Sequence, residues 1–209
     1  MTDQNLVHPE LAAFEVSGMT RGSFILRGAL AAGAVYGTTA VAPLVSSALA
    51  ATDTGDVGIL NFALTLEYLE TNFYQVKAKT VGLSGLAKHY AQEFGDQEAQ
   101  HVAALTAAIK QLGGTPVAQP TFAFPITDEK SFLTLASTIE NLGVGAYNGA
   151  APLIQSKAIL AAAGGIVQVE ARHAASIGLL TGQSVVPNGG FDKPLTKAQV
   201  LAAAGPLIK

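Results

Sequence analysis

From residue 55 onward the apolar positions recur every three to four residues, a helical period, rather than at every second residue as in strands. Leu60, Leu64, Glu67, Thr71 and Tyr74 fall on one stripe, and Phe94, Glu98, His101, Leu105 and Leu112 on a second. Ala136, Glu140, Gly143 and Tyr147 form a third, and Ile166, Glu170, His173, Ile177 and Leu180 a fourth. The stripes predict helices over about 56–79, 84–112, 128–148 and 166–181. Asp53, Thr54 or Asp56 would cap the first. Gly113-Gly114, with Pro116 just beyond, stops the second. Pro152 breaks the third and leaves a further turn to Ala163, and Gly164-Gly165 separates that turn from the fourth. Short connections favour antiparallel neighbours, whereas "TPVAQPTFAFPITD" is long enough to cross the length of a bundle. The pattern predicts an all-α protein, an antiparallel four-helix bundle with a long crossover between helices 2 and 3. A turn-rich tail, 183–209, would hold one short helix over Lys197 to Ala203.

Each stripe is apolar except where it carries Glu or His, and an unpaired carboxylate in such an interior costs several kcal/mol or takes up a proton. Four helices with a carboxylate on the core face call for a shared counter-charge. Glu98-x-x-His101 and Glu170-x-x-His173 put acid and imidazole on adjacent turns of one face. Glu67 and Glu140 stand alone on the other two helices, each with a tyrosine seven residues on, Tyr74 and Tyr147. The halves superimpose, with an offset of 73 residues from Glu67 to Glu140 and of 72 from Glu98 to Glu170 and from His101 to His173. This is the trace of an internal duplication around a pseudo-twofold site. One Glu from each of two helices and Glu-x-x-His from the other two is the donor set of di-iron and di-manganese carboxylate bundles. Two neighbouring divalent ions repel, so four carboxylates would bridge and neutralise them, while each imidazole supplies one terminal nitrogen. The candidate ligands are therefore Glu67, Glu98, His101, Glu140, Glu170 and His173, holding two Fe ions or, alternatively, two Mn ions.

Nearby polar residues fit this set less well. Glu70 lies three residues from Glu67 and has the same face open to it, but the parallel with Glu140 and Tyr147 favours Glu67. His89 and Glu93 are four apart and would pair on the surface, and Arg172 points off the stripe. Tyr74 and Tyr147 would hydrogen-bond the carboxylates, carry electrons, or simply fill the core.

The segments "ILNFALTLEYLETNFY", "DQEAQHVAAL", "IENLGVGAYNGAAPLI" and "VEARHAAS" resemble the ferritin-like superfamily. Within it they resemble exported bacterial ferritin-like proteins related to plant desiccation-related proteins, over roughly residues 55–182. The resemblance implies a ferritin-like bundle and a role in oxidative or desiccation stress, with O2 or peroxide as partner in Fe(II) oxidation or peroxide removal. A manganese catalase is compatible with the same ligands. Storage in a hollow cage is disfavoured, because no long fifth helix follows Thr181. The alternative is a non-enzymatic structural or protective bundle at the envelope, metal-stabilised or metal-free, in which the many Ala and Gly residues provide flat apolar faces for assembly into a homo-oligomer.

Composition narrows the choice. Hydrophobic residues make up 49% and charged residues only 13% of 209, enough for one domain with a sizeable core. The 12 Lys and Arg against 15 Asp and Glu form no basic cluster interleaved with aromatics, so nothing supports nucleic-acid binding. There is no cysteine, which excludes disulfides, thiolate metal sites and a cysteine nucleophile. The N-terminal "TRGSFILRGALAAGAVYGTTAVAPLVSSALA" has two arginines, an uncharged run and an A-x-A ending at Ala50. Residues 1–50 read as a signal peptide cleaved after Ala50, followed by the bundle at 51–182 and the tail at 183–209. The run is rich in Gly and Ala and interrupted by Pro43, a poor permanent membrane span. Thr20 to Ile25 resembles a twin-arginine motif with Gly22 in place of the second arginine, which leaves the export route open. The expected location is periplasmic or secreted.

Overall fold

The structure is a computed structural model that describes residues 55–209. The expected signal peptide, its cleavage position and the cap candidates Asp53 and Thr54 lie outside the described residues. Four long helices make up the bundle: α1 (Asp56–Gln75), α2 (Gly85–Gln111), α3 (Glu129–Ala150) and α4 (Lys157–Thr181). A short α5 (Lys197–Ala204) follows. Helices α1 and α2 form one hairpin and α3 and α4 the other, with residues 112–128 crossing between them. Among the described residues there is no strand, only one isolated antiparallel bridge between Phe122 and Ile208. No helix among them is long and apolar enough to cross a membrane.

Helices α3, α4 and α5 begin where side chains satisfy free N–H groups. Asp128 and Ser131 form a capping box at α3, and Thr196 and Gln199 form another at α5. Asp56 is the first residue of α1 rather than its cap, and its carboxylate has another use. The backbone N–H groups of Gln155 and Ser156 donate to it at 2.7 and 2.8 Å, tying the start of α1 to the start of α4.

The fourth helix starts at Lys157, capped by Ser156, not at Ile166. Pro152 ends α3 in a short 3₁₀ turn, Ala151–Leu153, and after Ser156 the helix runs straight through Gly164-Gly165. Two mid-helix glycines cost about 1 kcal/mol each relative to alanine. Burial of Ala163 and Ile166, with Ile159 packed alongside, offsets that cost. At the other boundaries the differences are small. The first helix ends at Gln75 and continues as a 3₁₀ turn, Lys77–Thr80. Leu112, expected on a core stripe, caps α2 and is exposed.

The tail is part of the core. Val200, Ala204 and Leu207 are buried in the cluster built on Phe73, whose ring stacks on Phe132 at 4.5 Å. Leu195 donates its N–H to the Gly145 carbonyl at 2.8 Å, and a Cβ at Gly149 would collide with the Leu195 carbonyl. Glycine at 149 is what lets this strap lie against α3. A second apolar cluster, with Leu60, Leu64, Leu105 and Ile109, packs further along the bundle. The polar stripe positions fall between the two clusters.

Candidate metal centre

The six predicted residues converge. Glu67, Glu98, Glu140 and Glu170 are each 0% exposed, His173 2% and His101 8%. The Nδ1 atom of His101 lies 2.9 Å from Glu98 Oε2, 3.1 Å from Glu170 Oε1 and 3.2 Å from Glu67 Oε2. The Nδ1 atom of His173 lies 2.8 Å from Glu98 Oε1 and 3.5 Å from Glu140 Oε2. Two overlapping groups of donor atoms result, each within 4.8 Å of one another: Glu67, Glu98, His101 and Glu170, and Glu98, Glu140, Glu170 and His173. Glu98 and Glu170 belong to both groups, and Glu67 and Glu140 to one each. The sequence pattern assigns all four carboxylates a bridging place, whereas the geometry distinguishes a shared pair from an unshared pair.

The donor set fits metal ions. One N–H cannot satisfy three carboxylate oxygens, so the proton on His101 Nδ1 is over-subscribed. In the other group, Glu98 Oε1, Glu140 Oε2, both oxygens of Glu170 and His173 Nδ1 are buried without a well-aligned hydrogen bond. Buried polar atoms are almost always satisfied. Atoms of this kind aimed at common space, all oxygen or imidazole nitrogen, are a donor set for divalent iron or manganese.

Electrostatics agree. Burial and the neighbouring carboxylates push Glu67 well above the usual carboxylate range, and burial raises Glu140 as well. Burial and the Glu98 charge bring Glu170 up to about 8. Burial also disfavours the Glu98 carboxylate, but the hydrogen bond from His101 and the close His173 imidazolium overcome this and hold it at about 2. Burial opposes protonation of the imidazoles, yet the surrounding carboxylates raise His101 to about 12 and His173 to about 10. In the metal-free protein the imidazolium protons serve as the cations of the site.

The tyrosines do bond the carboxylates, and in a crossed fashion. Tyr74 on α1 donates to Glu140 on α3 at 2.5 Å, and Tyr147 on α3 donates to Glu67 on α1. Burial, together with the carboxylate each touches, raises both phenols well above their ordinary range, so they remain donors.

Glu70, which the sequence left open, is buried at 2% exposure. The same 73-residue offset that pairs Glu67 with Glu140 pairs Glu70 with Gly143. A Cβ at position 143 would lie 3.0 Å from Glu70 Oε1 and 3.1 Å from Glu170 Oε2. The fifth carboxyl therefore occupies room that the glycine leaves, and burial with four neighbouring carboxylates holds its pKa well up. Gln97 was also missed; its Oε1 lies 2.5 Å from His173 Nε2. Arg172 is exposed and donates to the Gln168 carbonyl, as a residue off the stripe should. His89 and Glu93 pair at 3.3 Å on the surface. A groove of about 400 Å³ between α2 and α4 reaches the site at His101 and His173.

A helical bundle whose interior gathers four glutamates and two histidines in this way has the make-up of a carboxylate-bridged di-metal protein. Residues 55–183 match the model of the ferritin-like domain, and the chain belongs to that family. Among curated proteins nothing matches it.

Proposed function

We propose that the chain is an exported ferritin-like protein that holds two metal ions, iron in the first place and manganese in the second. The observation that carries this reading is the overlap of the two donor groups through Glu98 and Glu170. Shared carboxylates are what hold two cations at one site while offsetting their repulsion. Glu67 and His101 would complete one position, and Glu140 and His173 the other. When bound, such a pair supplies electron transfer to O2 or peroxide, which suits oxidation of Fe(II) or removal of peroxide. The chain's own contribution is to hold and orient. Tyr74 and Tyr147 fix the unshared carboxylates, the apolar clusters on either side keep bulk water out, and the groove between α2 and α4 admits a small molecule. The A-x-A run ending at Ala50 supports export to the periplasm or beyond, and the likeness to desiccation-related proteins supports a place in oxidative or desiccation stress.

A structural role at the envelope is the second reading. It draws on Leu153, Leu179 and Phe191, exposed at 65, 70 and 74%, which suit association of copies. Metal analysis of protein purified through its native export route, with Fe(II)-oxidation and peroxide assays, separates the two. Bound iron or manganese with turnover supports the di-metal reading. Metal-free protein, with an unchanged melting temperature in Glu98→Ala/His101→Ala, sinks it.

A further inference from the structure

The pseudo-twofold that relates the two hairpins holds for the six site residues and fails one layer out. The 72-residue offset that carries Glu98 to Glu170 and His101 to His173 also carries Glu93 to Gly165, Phe94 to Ile166 and Gln97 to Val169. In the first hairpin these residues form a chain. The Gln97 side-chain amide donates to Glu93 Oε1 at 3.2 Å, which turns Gln97 Oε1 toward α4. His173 Nε2–H donates to that oxygen at 2.5 Å. In the neutral imidazole that a metal requires, the one remaining proton is thereby held at Nε2, and Nδ1 is the nitrogen that faces Glu98 and Glu140. The ring is also pinned by Phe94, which stacks on it at 3.9 Å between centroids.

His101 has a different setting. Its polar partners are all at Nδ1. The position matching Gln97 is Val169, whose side chain offers no acceptor, and the groove between α2 and α4 is lined by both pairs, Gln97 with His173 and Val169 with His101. His101 is also the more exposed of the two imidazoles.

We propose that Gln97, backed by Glu93, is a positioning residue that locks His173 with Nδ1 free for a metal and so makes the two metal positions unequal. The position served by His173 loads first and holds its ion tightly. The position served by His101, without an outer acceptor and more exposed, loads second and exchanges faster. The inference rests on the di-metal reading. Outer partners of a metal-bound histidine fix its tautomer and ring orientation, and losing one typically costs about 10- to 100-fold in affinity.

Co(II) titration of the purified, metal-stripped protein tests this, followed by optical absorption and by equilibrium dialysis for stoichiometry. The native protein should bind in two separable steps. Gln97→Met should weaken the first step about 10- to 100-fold and leave the second in place, and Gln97→Glu, which keeps an acceptor, should restore the separation. Val169→Gln gives an independent gain, tightening the second step. Two cobalt ions bound in indistinguishable steps, or a Gln97→Met protein in which both steps weaken alike, overturns the inference and leaves the di-metal reading standing. A folded native protein that retains no cobalt overturns both.

Discussion

The α1–α2 hairpin and the α3–α4 hairpin offer the same residue types to the site at the same spacing, yet their surroundings differ. The first hairpin adds Glu70, Glu93 and Gln97; the second has Gly143, Gly165 and Val169 at the matching places. The repeated residues are those that a pair of cations would require. The unrepeated ones are free to differ, and they decide how each half behaves. Duplication thus separates what the charge of the site demands from what tunes it.

The comparison is broken most severely through the shared carboxylates. Glu98→Gln and Glu170→Gln should each abolish retention of both metals, whereas Glu67→Gln or Glu140→Gln should spare one. Metal content per chain by mass spectrometry checks this, and equal losses from all four would erase the distinction between shared and unshared ligands. Next comes the Glu70–Gly143 contrast. Gly143→Ala should destabilise by about 1–3 kcal/mol in urea denaturation, since the added methyl meets two carboxylate oxygens. Glu70→Ala should relieve part of that cost, so the double variant should be less destabilised than the two singles summed.

A pH series sharpens the contrast between the site and the rest of the bundle. Unfolded His releases its proton near 6.5, but folded His173 keeps it to about 10 and His101 to about 12. Their stabilisation is full below pH 6.5 and is lost as pH rises through those values. Glu170 acts in the same direction, keeping to about 8 a proton that the unfolded chain loses near 4.5. Glu98, held at about 2, opposes them only in acid, its contribution being lost as pH falls from 4.5 through 2. Metal-stripped protein should therefore melt at progressively lower temperature from about pH 6 to 10. Metal loading displaces the imidazole protons and should flatten that slope. A metal-stripped protein with a flat profile would remove the imidazolium ions as the cations of the empty-handed site. The smallest effect belongs to the surface pair. His89→Ala should change stability by no more than about 0.5 kcal/mol in thermal melts, because both partners are solvated.

The bundle and the convergence of the six candidate residues were legible because both obey the helical period, and because buried acids betray themselves among leucines. Glu70 was harder, since one turn of helix places it as near the site as Glu67; its signal was Gly143 at the matching offset. Gln97 lies beside Glu98 and reads as an ordinary polar residue, because its role depends on α4, whose rotation no local pattern reveals. The start of α4 was misplaced because paired glycines ordinarily end helices, and here the packing of Ala163 and Ile166 outweighs them. The short helix of the tail was legible over Lys197 to Ala203, but its burial in the core was not, for a similar reason. Val200 is fully buried, yet in an alanine-rich helix one valine makes no stripe.

The crossed tyrosines also bear on how the protein folds. Tyr74 and Glu140 are 66 residues apart, and Tyr147 and Glu67 are 80 apart. Each hairpin can zip up on local contacts, but neither can finish its own unshared carboxylate, which waits for a phenol from the other. Such long loops close late, after local structure has formed. Completion of the site should therefore follow formation of the two hairpins, and a partner that pries the hairpins apart would dismantle the site while leaving the helices in place.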